Sequence, residues 1–145
     1  MKKIFSSLIF IAMGCLVQAQ ESDCMLGLGG SNTETIVQVF QLNEEQIGQL
    51  KEWQAELSMT NKVYQEDIRI LFDTHPQSTT KELEELANKY RVLKDQILEN
   101  ARAYDIKMLK LFNPKQYERY IELCASARRI PYKVVPQPFP VKDPE

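Results

Sequence analysis

Two long stretches of the chain repeat apolar residues at helical spacing, and together they predict a helical hairpin. Polar residues around Pro76 separate the two stretches and predict the turn between them. At about 1.5 Å per residue, each helix would be about 45 Å long. The first stripe, between Leu42 and Phe72, consists of Ile47, Leu50, Trp53, Leu57, Tyr64, Ile68, Leu71 and Phe72. The second, from about Thr79 to about Phe112, consists of Leu83, Leu86, Tyr90, Leu93, Ile97, Ala101, Tyr104, Met108 and Leu111.

Capping boxes mark the start of both helices and of a third, shorter one. In such a box a small polar residue caps the helix, and a Gln or Glu three positions later bonds back to it. The third helix also carries Pro114 at its first position, where no amide donor is needed, and ends before Pro131. The predicted fold class is therefore all-α, an elongated helical hairpin plus a third helix. The capping pairs are Asn43 with Gln46, Thr79 with Glu82, and Asn113 with Gln116.

The two ends of the chain differ from this helical body. Residues 20–41 contain several glycines and polar residues, and we expect a mostly irregular segment. Residues 131–145 hold five of the seven prolines and predict an extended or disordered tail, with recognition as a polyproline ligand as the alternative. The helical domain accordingly covers residues 42–130.

The first 19 residues have the pattern of a secretory signal peptide. Lys2 and Lys3 precede an apolar run that is too short to span a bilayer, and small or apolar residues lead to Ala19. We expect export to the periplasm with cleavage after Ala19, and no membrane span afterwards. Two alternatives stay open: a retained anchor, and a lipoprotein acylated at Cys15, which follows Gly14.

Cleavage would leave two cysteines, Cys24 and Cys124, in an oxidising compartment. Such a pair most often forms a disulfide, which is the predicted state. A redox pair or a metal site is the alternative. However, the two cysteines are much farther apart in the sequence than those of a redox Cys-x-x-Cys motif. A zinc site is disfavoured because His75 is the single histidine in the sequence that could add to its ligands.

Charge and motif content argue against several function classes. The formal net charge is −2, and losing Lys2 and Lys3 would make it −4, so no broad basic surface for nucleic acid is expected. The sequence has no glycine-rich phosphate motif and no identifiable nucleophile with a base. His75 lies in a predicted turn, where a solvated side chain is expected. We predict no catalysis, no metal and no cofactor.

The same five-residue pattern occurs at two helix starts, as Leu42-Asn43-Glu44-Glu45-Gln46 and as Phe112-Asn113-Pro114-Lys115-Gln116. The region from about Phe40 to Cys124 resembles the Spy/CpxP-like family of periplasmic proteins, whose hallmark is a pair of LTxxQ motifs. Asn43 and Asn113 stand where the family has threonine, and Phe112 where it has leucine. The resemblance implies that Leu42, Asn43, Gln46, Phe112, Asn113 and Gln116 serve the architecture of the fold.

The resemblance also implies a function. Family members are hooked hairpins that commonly dimerise into a cradle and act as ATP-independent chaperones, stress adaptors or metal-responsive sensors. We therefore predict an envelope protein of the chaperone or stress-response type that binds protein clients. The alternatives are an adaptor or sensor partner of one envelope protein, and a structural envelope protein.

A second apolar stripe lies opposite the main one on both long helices. On the first helix it comprises Met59, Val63 and Ile70, and on the second Val92 and Ile106. A hairpin uses one stripe per helix for its own core, so these residues should face outward. They predict a contact surface for a client or for a second copy, and a homodimer is expected.

Overall fold

The protein is all-α, as the sequence predicts, in a computed structural model that describes residues 22–30 and 33–138. Four helices occur in these ranges: α1 (Thr33–Phe40), α2 (Glu44–Thr74), α3 (Thr80–Lys110) and α4 (Pro114–Ser126). An isolated parallel bridge between Asp23 and Ile130 is the β-type pairing found there.

Helices α2 and α3 form the predicted hairpin, with 31 residues each. Two contacts set their register. The rings of Phe72 and Tyr90 lie 5.5 Å apart near the turn. Nearer the other end, the Tyr104 hydroxyl donates a 2.9 Å hydrogen bond to Glu56. All three predicted capping boxes are present, and they begin α2, α3 and α4.

Helix α1 contradicts the prediction that residues 20–41 are irregular. Ile36 and Phe40, four positions apart, are both buried and give this short helix an apolar face. The glycines that indicated an irregular segment all precede it, at positions 27, 29 and 30. The helix ends at Phe40, and the next residue, Gln41, has a φ of 48° in the left-handed region and turns the chain toward α2.

The core occupies one end of the hairpin. We call this end the base: the N-terminal segment, α1, α4, residues 131–138 and the adjoining ends of α2 and α3. We call the remaining two-helix part, residues 58–103, the arm. Among residues 58–103, all of which the structure describes, Leu86 alone is buried. The buried apolar residues of the base are Cys24, Leu28, Ile36, Phe40, Leu42, Leu50, Leu57, Met108, Leu109, Phe112, Tyr120 and Cys124.

The predicted disulfide between Cys24 and Cys124 is present and closes the base. The two Cα atoms lie 5.6 Å apart, and the bond links the N-terminal segment to α4. The signal peptide predicted at residues 1–19, with Ala19 and Cys15, lies outside the described residues, as do residues 139–145.

The described part of the tail, residues 131–138, forms neither helix nor strand and packs against the base. The backbone N–H of Gln137 donates to the carbonyl of Phe112 over 2.8 Å. The Tyr117 hydroxyl donates to the carbonyl of Tyr132 over 2.8 Å. Tyr132 and Val134 also contact the core cluster, so residues 131–138 contribute to the base.

Candidate functional site

The repeated motif forms two equivalent helix caps. The Asn43 side chain accepts a 2.9 Å hydrogen bond from the backbone N–H of Gln46, whose side-chain oxygen accepts one of 3.1 Å from the backbone of Asn43. Asn113 and Gln116 repeat this arrangement at 3.0 Å and 2.9 Å. Asparagine thus supplies the capping oxygen in both copies.

The two caps also meet each other, which the sequence does not reveal. Each glutamine amide donates to the side-chain oxygen of the other, at 2.9 Å from Gln46 and 3.0 Å from Gln116. Each amide further donates to a carbonyl, at Leu111 and Phe40 respectively. Both side chains are buried and satisfied by this network. The repetition of the motif is the one feature of the sequence that could have suggested this pairing, although it does not show that the two copies touch.

The apolar residue that precedes each cap lies in the core. Leu42 and Phe112 are both buried, and the Phe112 ring lies 4.8 Å from the ring of Phe40. The six motif residues therefore converge in the base, where the start of α2 meets the start of α4. The contacts described for these residues are with one another and with neighbouring parts of the base.

The arm carries most of the predicted contact surface in exposed positions. Met59, Val63, Val92 and Ile70 are 71%, 61%, 58% and 44% exposed. Ile106 differs from the prediction, because it is half-buried and is less exposed than these four residues. It lies where α3 enters the base, between the buried residues Asp105 and Met108.

Two of these residues, one from each helix, share a shallow groove of about 480 Å³. Ile70 and Val92 line it, and Leu71 and Leu93 lie beside them. The helical spacing within each stripe is visible in the sequence, but the meeting of the two stripes depends on the register of the hairpin. Asp67, Thr74 and Lys89 complete the lining.

The other side of the arm is also apolar. Phe72, Leu83 and Leu98 are exposed large side chains, and Phe72 lies about 200° around α2 from Ile70, since each residue advances about 100°. The sequence places Phe72 and Leu83 in the core stripes, which is wrong. Two helices alone leave the edges of their stripes uncovered, and no third layer formed by the described residues covers them on the arm.

The base contains a buried carboxylate that no motif in the sequence marks. Asp105 is fully buried and accepts hydrogen bonds from the backbone N–H groups of Gly27 and Leu28, at 3.1 Å and 3.0 Å. Burial raises the pKa of this carboxyl, and the bonds from the N-terminal segment oppose the rise. Helix α3 thereby holds the N-terminal segment through one side chain.

Tyr120 of α4 holds the same segment from the other side. Its hydroxyl donates a 2.6 Å bond to the carbonyl of Cys24 and accepts a 2.8 Å bond from the backbone N–H of Tyr132. Burial raises the pKa of Tyr120 to about 12. One phenol therefore joins the N-terminal segment and the tail.

His75 lies at the tip of the hairpin, with Nδ1 2.8 Å from the carbonyl of Pro76. Within residues 22–30 and 33–138, no three His, Cys, Asp or Glu side chains converge as metal ligands would. None of the helices described above is both long and apolar enough to cross a membrane.

Comparison with known proteins adds no relative: no protein-family model matches the chain, and neither a curated protein nor a solved structure matches it.

Proposed function

We propose that this chain is an exported envelope protein that binds other proteins through its arm, as an ATP-independent chaperone or stress-response protein. The observation that supports this proposal is the distribution of apolar side chains. Over residues 58–103 only Leu86 is buried, while large apolar residues lie exposed on both sides. In the part of the chain that the structure describes, the base alone has a core.

Exposed apolar area suits the capture of unfolded chains. Its burial is worth about 25 cal/mol per Å² and requires no particular orientation, so one surface accepts many sequences. Charged residues such as Lys62, Glu66 and Arg69 lie between the apolar positions and keep the surface soluble. The proposal includes no catalytic step, no metal and no cofactor.

Export and the family resemblance are the other supports. The signal-peptide pattern of residues 1–19 predicts a mature chain in the periplasm, and the repeated Asn-x-x-Gln caps resemble the LTxxQ motifs of the Spy/CpxP-like family. Both remain predictions from the sequence.

Suppression of aggregation is the test. The chain of residues 20–145, isolated from a bacterial periplasm, is mixed with several unrelated unfolded proteins, and light scattering is followed. We expect less aggregation at near-stoichiometric ratios, and a weaker effect when Leu83→Ser is combined with Leu98→Ser. Val135→Ser is the matched control, because Val135 is exposed but lies in the tail.

Three results decide between the alternatives. If no substrate is protected, the chaperone proposal is wrong. If a pulldown from envelope extract returns one dominant partner, an adaptor of that protein is favoured instead. The mass of the isolated chain tests the processing site: cleavage after Ala19 leaves Gln20 as the first residue, whereas a chain that begins at an acylated Cys15 would show lipoprotein processing instead.

A further inference from the structure

A groove of about 380 Å³ lies in the base, between the end of α1 and the first turns of α4. We call it the α1–α4 groove. Gln116 is buried at its bottom, where the side-chain amide donates a 3.0 Å hydrogen bond to the carbonyl of Phe40. Val39 is 38% exposed and gives the α1 wall a partly uncovered apolar side chain. The other lining residues are Gln41, Asn113, Lys115 and Arg119.

The α4 wall of this groove is basic. Lys115 and Arg119 are four positions apart, so they lie on one face of the helix, and both are exposed. None of the lining residues is acidic. Arg119 forms a 3.2 Å ion pair with Glu122, but both side chains are more than half exposed, and such a pair exchanges readily for another. The groove therefore suits a segment that combines apolar side chains with acids.

The described part of the tail leads to the edge of this groove. Residues 131–138 run back from the end of α4 toward its start, where the backbone N–H of Gln137 donates to the carbonyl of Phe112. The residue after Phe112 is Asn113, which lines the groove. The part of the chain that follows, residues 139–145, is thus tethered beside the groove.

We propose that residues 139–145 occupy the α1–α4 groove of their own chain. This proposal concerns the base and does not depend on client binding by the arm. Seven extended residues reach about 23 Å, at about 3.3 Å per residue. Arg119 lies only about 9 Å along α4 from Asn113, at about 1.5 Å per residue. The segment is therefore long enough to cross the groove.

The pattern of side chains in this segment matches the two walls. Phe139, Val141, Asp143 and Glu145 occupy alternate positions, so they share one side of an extended chain, and Lys142 lies on the other side. With the first side turned to the groove, Phe139 and Val141 contact the apolar α1 wall. Asp143 and Glu145 then approach the basic α4 wall.

The tether makes weak contacts sufficient. A segment joined to its site by a short link has an effective concentration in the millimolar range, so docking does not need high intrinsic affinity. Docking also covers Val39, and it adds a second connection between α1 and α4 to the one made by Gln116. The arm would then carry the main apolar surface that the protein offers to others.

Competition with a free peptide tests the proposal. Two chains are compared by NMR, one of residues 20–145 and one of residues 20–138, which retains every residue that the structure describes. A peptide with the sequence of residues 139–145 is added to each. We expect it to shift the amide signals of Val39, Gln41 and Lys115 in the shorter chain. It should bind the longer chain about tenfold more weakly or worse, because the tethered segment competes.

Charge exchange tests how the segment is oriented. In the shorter chain, Arg119→Glu should weaken peptide binding by about fivefold. A peptide with Asp143→Lys and Glu145→Lys should bind this variant more tightly than the original peptide does. Lys94→Glu is the matched control, because it makes the same change of charge at an exposed position on the arm and should leave the affinity unchanged. Helical circular dichroism should be the same for all of these chains.

Several results would overturn the proposal. Equal affinity of the peptide for both chains would show that the segment does not occupy the groove, and the same holds if the peptide binds neither chain. Equal weakening by Arg119→Glu and Lys94→Glu would show that the contact is unspecific. Groove signals that change with the concentration of the longer chain would show that a second copy supplies the segment, which contradicts docking within one chain.

Discussion

At the scale of single residues, Asp105 is the least expected feature of the molecule. An aspartate is seldom fully buried, because removing its charge from water costs free energy unless donors surround it. Here consecutive backbone N–H groups of the N-terminal segment supply those donors. Helical periodicity gives no sign of this contact, because the donors belong to backbone that lies 77 and 78 positions away.

The pKa of Asp105 gives a prediction for stability against pH. Its pKa is raised in the folded protein above the ordinary value of 3.8. The folded state therefore binds the proton more tightly than the unfolded state, and the Asp105 contribution to stability decreases as pH rises from about 4 through the raised pKa. Urea unfolding at several pH values should show this decrease in the wild type and not in Asp105→Asn. Asp95→Asn, an exposed position on α3, is the control, and an equal slope in the wild type and Asp105→Asn would contradict the assignment.

At the scale of elements, the sequence predicts what local chemistry determines. Capping boxes locate the starts of α2, α3 and α4 because each box closes within four residues. Helix α1 escapes prediction because it is two turns long and follows a glycine-rich segment. The exposure of Phe72 and Leu83 is not predicted either. Apolar residues at helical spacing show which residues share a face of the helix, but not whether another element covers that face. The contact between the two caps could not be predicted either, because it depends on how the starts of α2 and α4 are brought together in the folded protein.

That meeting predicts coupling between the ends of α2 and α4. Gln46→Ala leaves the buried amide of Gln116 with fewer partners and should reduce the free energy of unfolding by about 1–3 kcal/mol. Gln116→Ala should have a similar effect. The double variant should lose less free energy of unfolding than the sum of the two single losses, by about 0.5 kcal/mol or more. The reason is that either single variant already leaves the remaining glutamine without its partner, so that removing this glutamine as well breaks fewer hydrogen bonds.

Urea unfolding of the four proteins in this cycle measures the coupling. Gln65→Ala, on the exposed surface of α2, is the control and should change stability by less than about 0.5 kcal/mol. Strict additivity of Gln46→Ala and Gln116→Ala would show that the two caps act independently.

At the scale of the whole molecule, a single covalent link joins the beginning and the end of the described fold. The Cys24–Cys124 bond spans a sequence separation of 100 residues, and Tyr120, Asp105 and the paired caps surround the segments that it connects. The pairing follows from the count of cysteines and the predicted compartment. The distance between Cys24 and Cys124 cannot be predicted in this way, since it depends on how α4 folds back on the base.

Removal of this link should be costly. For a closed loop of about 100 residues, the chain-entropy model gives about 4.7 kcal/mol, and measured losses are about 2–5 kcal/mol. Cys24→Ala combined with Cys124→Ala should therefore unfold at a clearly lower urea concentration than the oxidised wild type. Reduced wild type serves as the control and should match the variant. Two free thiols in protein isolated from the periplasm would show that the bond is not formed there.

The confinement of the core to the base has a consequence for hydrogen exchange. Amides in a folded region exchange with solvent when that region opens locally, and opening is easiest where few apolar contacts are lost. The tip around His75 can therefore fray, and α2 and α3 can unwind from the tip toward Leu57, while the disulfide-closed base stays folded. Protection should increase steadily along both helices from the tip to the caps. The arm would then be the part of the molecule that adapts its shape to what it contacts, and the base the part that keeps its shape throughout.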